Sequence, residues 1–145
     1  MPSLEHLIVR RKPVIKEIIL HCSDTPDGRE HTAEDIHRWH KEKGWDGIGY
    51  HHVIRIDGKI ESGRPEYWTG AHAGGHNSDS IGICLIGRGD FSEKQWASLK
   101  VLVREKMQEH KIARVIGHSE ISYKPCPNFD VQQWLEDNGL KRGML

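Results

Sequence analysis

The run from Ile81 to Ile86 constrains the fold more than any other part of the chain, because nearly every side chain in it is apolar. A strand that is apolar throughout has both faces buried, which is typical of the centre of a sheet covered by helices on both sides. A second compact apolar run, from Val14 to His21, and a shorter one, from Ala113 to Gly117, fit neighbouring strands. These three runs predict a central sheet.

Helical patterns alternate with these runs. Thr32 followed by Asp35 is a capping signal that predicts a helix to about residue 43. Ser92 with Gln95 forms a capping box that begins a longer helix, to about residue 110. A short third helix follows Asp130. Strands that alternate with helices predict an α/β fold with a single mixed central β-sheet flanked by helices on both faces.

A hairpin and a long loop complete the predicted domain. The segments His51 to Ile56 and Lys59 to Glu61 flank Asp57-Gly58, and an Asp-Gly pair readily takes the positive φ angles of a tight turn. The next segment, up to Ser80, is rich in glycine and has no sustained period. Loops of such length inside a compact domain are often functional.

The chain length suits one domain. Residues 1–13 carry a basic cluster but no clear period, so we expect an N-terminal arm there and a single domain over residues 14–145. Lysine plus arginine and aspartate plus glutamate both number 21, so no net field draws the chain to nucleic acid or to a membrane. There is no signal-peptide pattern and no heptad pattern, so we expect a monomer made in the cytoplasm.

The segment from Gly117 to Pro127 carries the strongest chemical signal. It contains His118 and Cys126, and two prolines hold the cysteine in extended backbone. His21 ends the first apolar run, so both histidines follow predicted strands, where the ligand sites of open α/β sheets form. A catalytic Zn²⁺ has three nitrogen, sulfur or oxygen ligands from the protein and one open position. His21, His118 and Cys126 are therefore predicted to bind one Zn²⁺.

Lys124 lies two residues before the predicted thiolate, where its ammonium could stabilise an oxyanion on a carbonyl. A lysine elsewhere usually faces solvent, so both readings stay open at this point. Cys22 and Cys84 are expected to be structural, and an odd number of cysteines, three, argues against a disulfide framework. Three rival histidine pairs lack a third ligand or a suitable spacing: His37 with His40, His51 with His52, and His72 with His76.

Several motifs together resemble the zinc-dependent N-acetylmuramoyl-L-alanine amidases of type 2, and among them the short phage lysozymes of the coliphage T-seven kind. The resemblance covers the chain from about Ile18 to Trp134. The matching stretches are His21-Cys22-Ser23, Trp39-His40-Lys41-Glu42-Lys43-Gly44-Trp45, Gly49-Tyr50-His51-His52, Asp57-Gly58, Gly70-Ala71-His72-Ala73, Ser80-Ile81-Gly82-Ile83-Cys84-Leu85 and Lys124-Pro125-Cys126-Pro127-Asn128-Phe129-Asp130.

The resemblance implies a fold like that of the amidases and peptidoglycan recognition proteins. It implies the same three zinc ligands, with Tyr50 and Lys124 as catalytic residues and His72 as a residue on the substrate side of the cleft. Asn77 and Ser78 receive only a structural role. The implied reaction is hydrolysis of the amide bond between N-acetylmuramic acid and L-alanine in peptidoglycan. Tyr50 would deprotonate or only orient the attacking water, since a phenol with its usual pKa near 10 is a poor base at neutral pH.

The resemblance also implies a biological setting. A phage or prophage endolysin accumulates in the host cytoplasm and reaches the periplasm and cell wall on lysis. One alternative is a non-catalytic peptidoglycan-recognition module, although such modules typically lack the cysteine ligand that Cys126 would provide. Another is an additional role as a regulator that binds phage RNA polymerase, in which the N-terminal arm would take part.

Overall fold

The computed structural model describes residues 14–112 and 114–141. Its centre is a five-stranded sheet with the strand order β3-β2-β4-β1-β5. The strands are β1 (Glu17–Cys22), β2 (His52–Ile54), β3 (Ile60–Ser62), β4 (Ser80–Leu85) and β5 (Arg114–Gly117). All neighbours are parallel except the hairpin of β2 and β3. The predicted mixed sheet is confirmed, and the apolar run that suggested it forms its central strand, β4.

The helices begin where the capping signals placed them. They are α1 (Ala33–Glu42), α2 (Glu93–His110) and α3 (Val131–Asp137). Thr32 and Ser92 each form a complete capping box, and the Asp130 side chain accepts the Gln133 N–H. Each cap satisfies backbone N–H groups that a helix leaves without partners, which is worth about 1 kcal/mol.

The helices cover both faces of the sheet. The larger core cluster joins β1 and β4 to α2 and α3, through residues such as Leu20, Ile83 and Leu99, all fully buried. On the other face, Ile36 of α1 packs against Val53 and neighbouring residues of the sheet. Burial of each large aliphatic side chain stabilises the fold by about 1.5–3 kcal/mol. Because successive apolar side chains of a strand point to opposite faces, the core forms two layers, one on each face of the sheet.

The carboxyl ends of β1 and β5 place two histidines side by side. Leu20 pairs with Gly117 across these parallel strands, so His21 and His118 are the next residues on each. Successive side chains of a strand point to opposite faces. His21 therefore faces the α1 side, whereas Cys22 packs with the core cluster beneath α2 and α3.

Side-chain hydrogen bonds hold the long segment between β3 and β4. The guanidinium of Arg64 donates to the carbonyls of Ile48 (3.1 Å) and Thr69 (2.7 Å). The Asn77 side-chain oxygen accepts two successive backbone N–H groups, those of residues 72 and 73, at 2.9 Å each. The structural role predicted for Asn77 is thus a clamp on this loop.

The N-terminal arm predicted for residues 1–13 lies outside the described residues, and so does its part in polymerase binding. The boundary of the arm and the monomeric state both stay predictions. Across residues 14–112 and 114–141, no helix is both long and apolar enough to cross a membrane.

Candidate active site

A cleft of about 580 Å³ opens at the carboxyl edge of β1 and β5. One wall comes from α1 and the turn that follows it, with Trp39, His40 and Trp45. Every residue of the predicted site lines this one cleft: His21, Tyr50, His72, His118, Lys124 and Cys126. Residues separated by up to 105 positions in sequence are brought together because two parallel strands end at the same edge.

His21 lies at the centre of the cluster and is almost fully buried. Its ring centroid is 4.6 Å from that of His118 and 5.0 Å from that of Tyr50. Burial lowers the pKa of His21 well below its usual value, and the positive charge of Lys124 adds to that effect. Burial and Lys124 also lower the pKa of His118. Both imidazoles are therefore neutral at pH 7, which is the form that binds a metal.

His72 contacts the ring of His21, and the two ring centroids are 4.9 Å apart. Its Nδ1 lies 2.8 Å from His21 Nε2, and its Nε2 lies 3.1 Å from the Ser80 hydroxyl oxygen. Its ring is buried although it lines the cleft. Both polar atoms of the ring are thus directed at protein partners. His72 lines the cleft, where it was predicted to lie on the substrate side, and its ring nitrogens also give it a role toward His21.

Tyr50 forms the wall between His21 and α1. Its ring lies 5.6 Å from that of His40, and it packs on Cys84 of β4. Burial raises the pKa of Tyr50 well above its usual value, and Cys84 contributes to the increase. The protein environment of Tyr50 therefore favours the protonated phenol, which can donate a hydrogen bond.

Lys124 is exposed at the mouth of the cleft, and its positive charge lowers the pKa of both His21 and His118. The carboxylate of Glu120, whose direction the sequence left open, turns back to accept the Gly117 N–H at 2.6 Å. Among the described residues that line the cleft, the only carboxylate is that of Asp24, which forms an ion pair with Arg88. No glutamate reaches the histidines from this lining.

Cys126 lies in the cleft, but its sulfur is paired with that of Cys22 as a disulfide. The Cα atoms are 5.7 Å apart, within the usual range for a disulfide. Cys22 is buried in the core, as expected of a structural cysteine, but the expectation that the odd cysteine count argues against a disulfide is wrong in this structure. The physical reason is position: Cys22 ends β1, where its side chain meets the segment that carries Cys126.

The donor set of the cleft fits Zn²⁺ when Cys126 is a free thiolate. Two neutral imidazoles and one thiolate are typical zinc ligands and leave a fourth position open. The Ser119 N–H donates to the Cys126 carbonyl (2.7 Å), which ties the cysteine to the segment that begins at His118. A sulfur in a disulfide is not a thiolate, so the pairing with Cys22 and metal binding by Cys126 exclude each other.

Two histidines of α1 have a role that the sequence analysis missed. His37 Nδ1 accepts the Ile48 N–H (3.0 Å), and His40 Nδ1 accepts the Gly49 N–H (2.9 Å). These amides belong to the segment that leads directly into Tyr50. The spacing of the two histidines on the helix was visible, but only the fold reveals that they face a backbone segment and not a metal.

A second cluster of metal-type side chains lies away from the cleft. Donor atoms of Glu66, Glu109 and His110 all come within 4.8 Å of one another. The ammonium of Lys106, however, lies 2.9 Å from carboxylate oxygens of both glutamates. This cation forms ion pairs with both carboxylates, so we describe the cluster as an ion-pair network.

Comparison with known proteins agrees with the geometry. The family model described as N-acetylmuramoyl-L-alanine amidase matches residues 10–129. The endolysin of Escherichia phage T7 is 39% identical over 131 residues, which span 85% of this chain and 87% of that protein.

Solved structures give the same picture. The N-acetylmuramoyl-L-alanine amidase LysC from Clostridium intestinale URNW superposes with a TM-score of 0.80 at 32% identity, over 88% of this chain and 87% of that one. Bumblebee PGRP-SA superposes with a TM-score of 0.78 at 26% identity, over 94% of this chain and 89% of its own. The expected amidase and peptidoglycan-recognition-protein-like fold is confirmed.

Proposed function

The chain belongs to the N-acetylmuramoyl-L-alanine amidase family, and on that premise we propose that His21, His118 and Cys126 bind one Zn²⁺ in the cleft. The protein is a peptidoglycan hydrolase of the endolysin kind, and it cleaves the amide bond between N-acetylmuramic acid and L-alanine. The family is generally zinc-dependent. What we add is the assignment of the metal ligands and of the catalytic roles to individual residues of this chain.

The observation that carries the proposal is the meeting of His21 and His118 at the ends of two adjacent parallel strands. Both are neutral, and Cys126 and Lys124 line the same cleft. Zn²⁺ bound there would act as a Lewis acid on the scissile carbonyl and lower the pKa of a water molecule. For this, Cys126 must be reduced.

Lys124 stabilises the negative charge that develops on the carbonyl oxygen during attack. Its ammonium is exposed at the mouth of the cleft and is near enough to lower the pKa of both imidazoles, which supports a role beside the metal. Tyr50 orients the substrate or the attacking water as a hydrogen-bond donor. Its buried phenol keeps its proton at Oη, so we assign it no role as a base.

The decisive experiment measures bound zinc and the release of soluble stem peptides from purified sacculi. Cys126→Ser is expected to lose most zinc and at least ~100-fold of activity, because it removes one of three ligands. The matched control is Cys22→Ser, which removes the other sulfur and leaves Cys126 unpaired. This control is expected to retain zinc and activity, because it cannot form the intramolecular disulfide that removes the Cys126 thiolate.

Two further variants test the histidines. His118→Ala is expected to lose zinc. His31 lies outside the cleft lining, so His31→Ala is expected to keep its zinc. Full zinc content in both Cys126→Ser and His118→Ala would show that the ligand assignment is wrong. Binding of sacculi by the wild type without release of stem peptides would favour a recognition module over an amidase.

The setting of the reaction follows from the relatives. Endolysins of phages are among the proteins most similar to this chain, and we infer that it acts on the host cell wall when the host is lysed. A lysis assay with externally added protein and permeabilised cells tests this, with a chelated sample as the control.

A further inference from the structure

We propose that His72 and Ser80 are positioning residues that fix which nitrogen of His21 carries its proton. In this arrangement His21 holds its proton on Nε2 and presents the lone pair of Nδ1 toward the cleft. The consequence for the metal rests on the function proposed above, but the proton arrangement itself does not. Neither residue touches the substrate in this role; both act through His21.

The direction of the hydrogen bonds follows from one carbonyl. The Ser80 hydroxyl oxygen lies 2.6 Å from the carbonyl oxygen of His76, and since a carbonyl only accepts, the single hydroxyl proton points there. Toward His72, the same hydroxyl oxygen must then be an acceptor. His72 Nε2, at 3.1 Å, therefore carries a proton.

The same reasoning continues to His21. A neutral imidazole has one N–H and one acceptor nitrogen, so His72 Nδ1 is the acceptor. It lies 2.8 Å from His21 Nε2, which must donate. The remaining nitrogen of His21, Nδ1, has a free lone pair, and the ring lines the cleft beside His118. The opposite tautomer would set two lone pairs against each other or leave the Ser80 hydroxyl without one of its partners.

The surroundings of His72 are built to hold this ring in place. A Cβ atom added at Gly82 would lie 2.5 Å from the His72 ring, and one added at Gly70 would lie 2.6 Å from it. Asn77 fixes the backbone on either side of the ring through the N–H groups of residues 72 and 73. The His72 ring thus occupies space that a side chain at either glycine would need.

Metal-binding histidines generally donate their second ring N–H to a partner that fixes the tautomer, and loss of that partner weakens metal binding about 10–100-fold. A carboxylate, a backbone carbonyl or a water is the usual partner. Here the partner is a second imidazole, itself fixed by a hydroxyl and a carbonyl. The arrangement involves no net charge, which suits a fully buried site without a carboxylate.

The first test needs neither metal nor activity. Long-range ¹H–¹⁵N correlation spectra of the reduced, metal-free protein report which nitrogen of each histidine is protonated. We expect Nε2–H for both His21 and His72. A proton on Nδ1 of His21 would overturn the proposal, whatever the protein does with zinc.

The second test uses Ser80→Ala, with Ser78→Ala as its control, because Ser78 is an exposed hydroxyl in the same short turn. Zinc dissociation constants are measured by competition with a chromogenic chelator. Ser80→Ala is expected to bind zinc about tenfold more weakly and to show both tautomers of His21. Ser78→Ala is expected to keep the zinc affinity and the His21 tautomer of the wild type. Equal affinities for a folded Ser80→Ala and the wild type would overturn the positioning role.

The two proposals fail separately. If His21→Ala retains zinc, the ligand assignment above is wrong, while the spectra still decide the proton arrangement. If His21→Ala loses zinc but Ser80→Ala does not weaken it, the ligands stand and the positioning role of Ser80 is wrong.

Discussion

Burial decides the protonation of single residues around the cleft. His40 is a clear case, because its pKa is lowered to about 4, first by burial and then by the charges of Lys43, Arg64 and His37. As an acceptor of the Gly49 N–H it must also be neutral at Nδ1. The neutral ring packs at a tilt against Trp45 and Tyr50, at centroid distances of 4.5 and 5.6 Å.

This histidine predicts a pH dependence of stability. Its folded pKa lies below its usual value, so the unfolded chain takes up the proton first. Its stabilising contribution is complete above about pH 6.5, falls as the pH drops toward 4 and is constant below that. Because the cleft is open to water, we expect about 1–2 kcal/mol over this interval, less than the full shift would give.

Urea unfolding at a series of pH values measures this contribution. In His40→Gln, the free energy of unfolding is expected to fall less between pH 6.5 and 4 than in the wild type. His31 precedes α1, and His31→Gln is expected to show the same fall as the wild type. Equal slopes for the wild type and His40→Gln would contradict the assignment.

The residues of the site could be predicted to different extents from the sequence. His21 and His118 follow apolar runs, and strand ends at one sheet edge are a general place for ligands, so their meeting was predictable. The pairing of Cys126 with Cys22 was not, since it depends on how the segment after His118 folds back across the end of β1. The role of His72 depends likewise on the loop that carries it.

The secondary-structure elements with local signals were predicted well. Thr32, Ser92 and Asp130 begin helices because each side chain satisfies nearby backbone N–H groups, which needs no tertiary structure. The segment from Ile48 to His51 has no such signal. Its N–H groups donate to histidines of α1, and its carbonyls accept from the Arg64 side chain and the Ala71 N–H. These partners come from other parts of the chain.

We therefore predict that α1 positions Tyr50 through His37. His37→Ala removes the acceptor of the Ile48 N–H, which is expected to cost about 1 kcal/mol of unfolding free energy. Because Tyr50 follows two residues later, kcat is expected to fall severalfold with little change in KM. Stability by urea unfolding and steady-state kinetics on a soluble muropeptide measure both effects.

Two neighbouring variants make this test specific. Arg38→Ala, at the next position of α1, is exposed and should change stability by less than about 0.5 kcal/mol. His37→Gln keeps an acceptor and is expected to restore most of kcat. A His37→Ala enzyme with wild-type kcat would show that the hydrogen bond does not position Tyr50.

At the scale of the whole molecule, most of the core lies away from the site, and only a few core residues line the cleft. The buried apolar residues lie in layers on both faces of the sheet, and the cleft occupies one edge of it. Glu66 adds a distant link, since it joins His52 of β2 to Lys106 and His110 of α2. The fold therefore has sources of stability outside the cleft, although the proposed ligand Cys126 also packs against the larger core cluster.

Removal of zinc is consequently expected to lower stability without unfolding the chain. Zinc that binds only the folded state at about a thousand times its Kd adds ~4 kcal/mol. For a chain of this length, this corresponds to a rise in Tm of roughly 10 °C. Far-UV circular dichroism of the chelated protein should match that of the zinc-bound form. Cys126→Ser should show nearly the same Tm with zinc and with chelator, because it lacks the thiolate. Loss of the far-UV signal on chelation would mean that the metal is needed to fold the sheet, and the expectation that the core alone keeps the chain folded would be wrong.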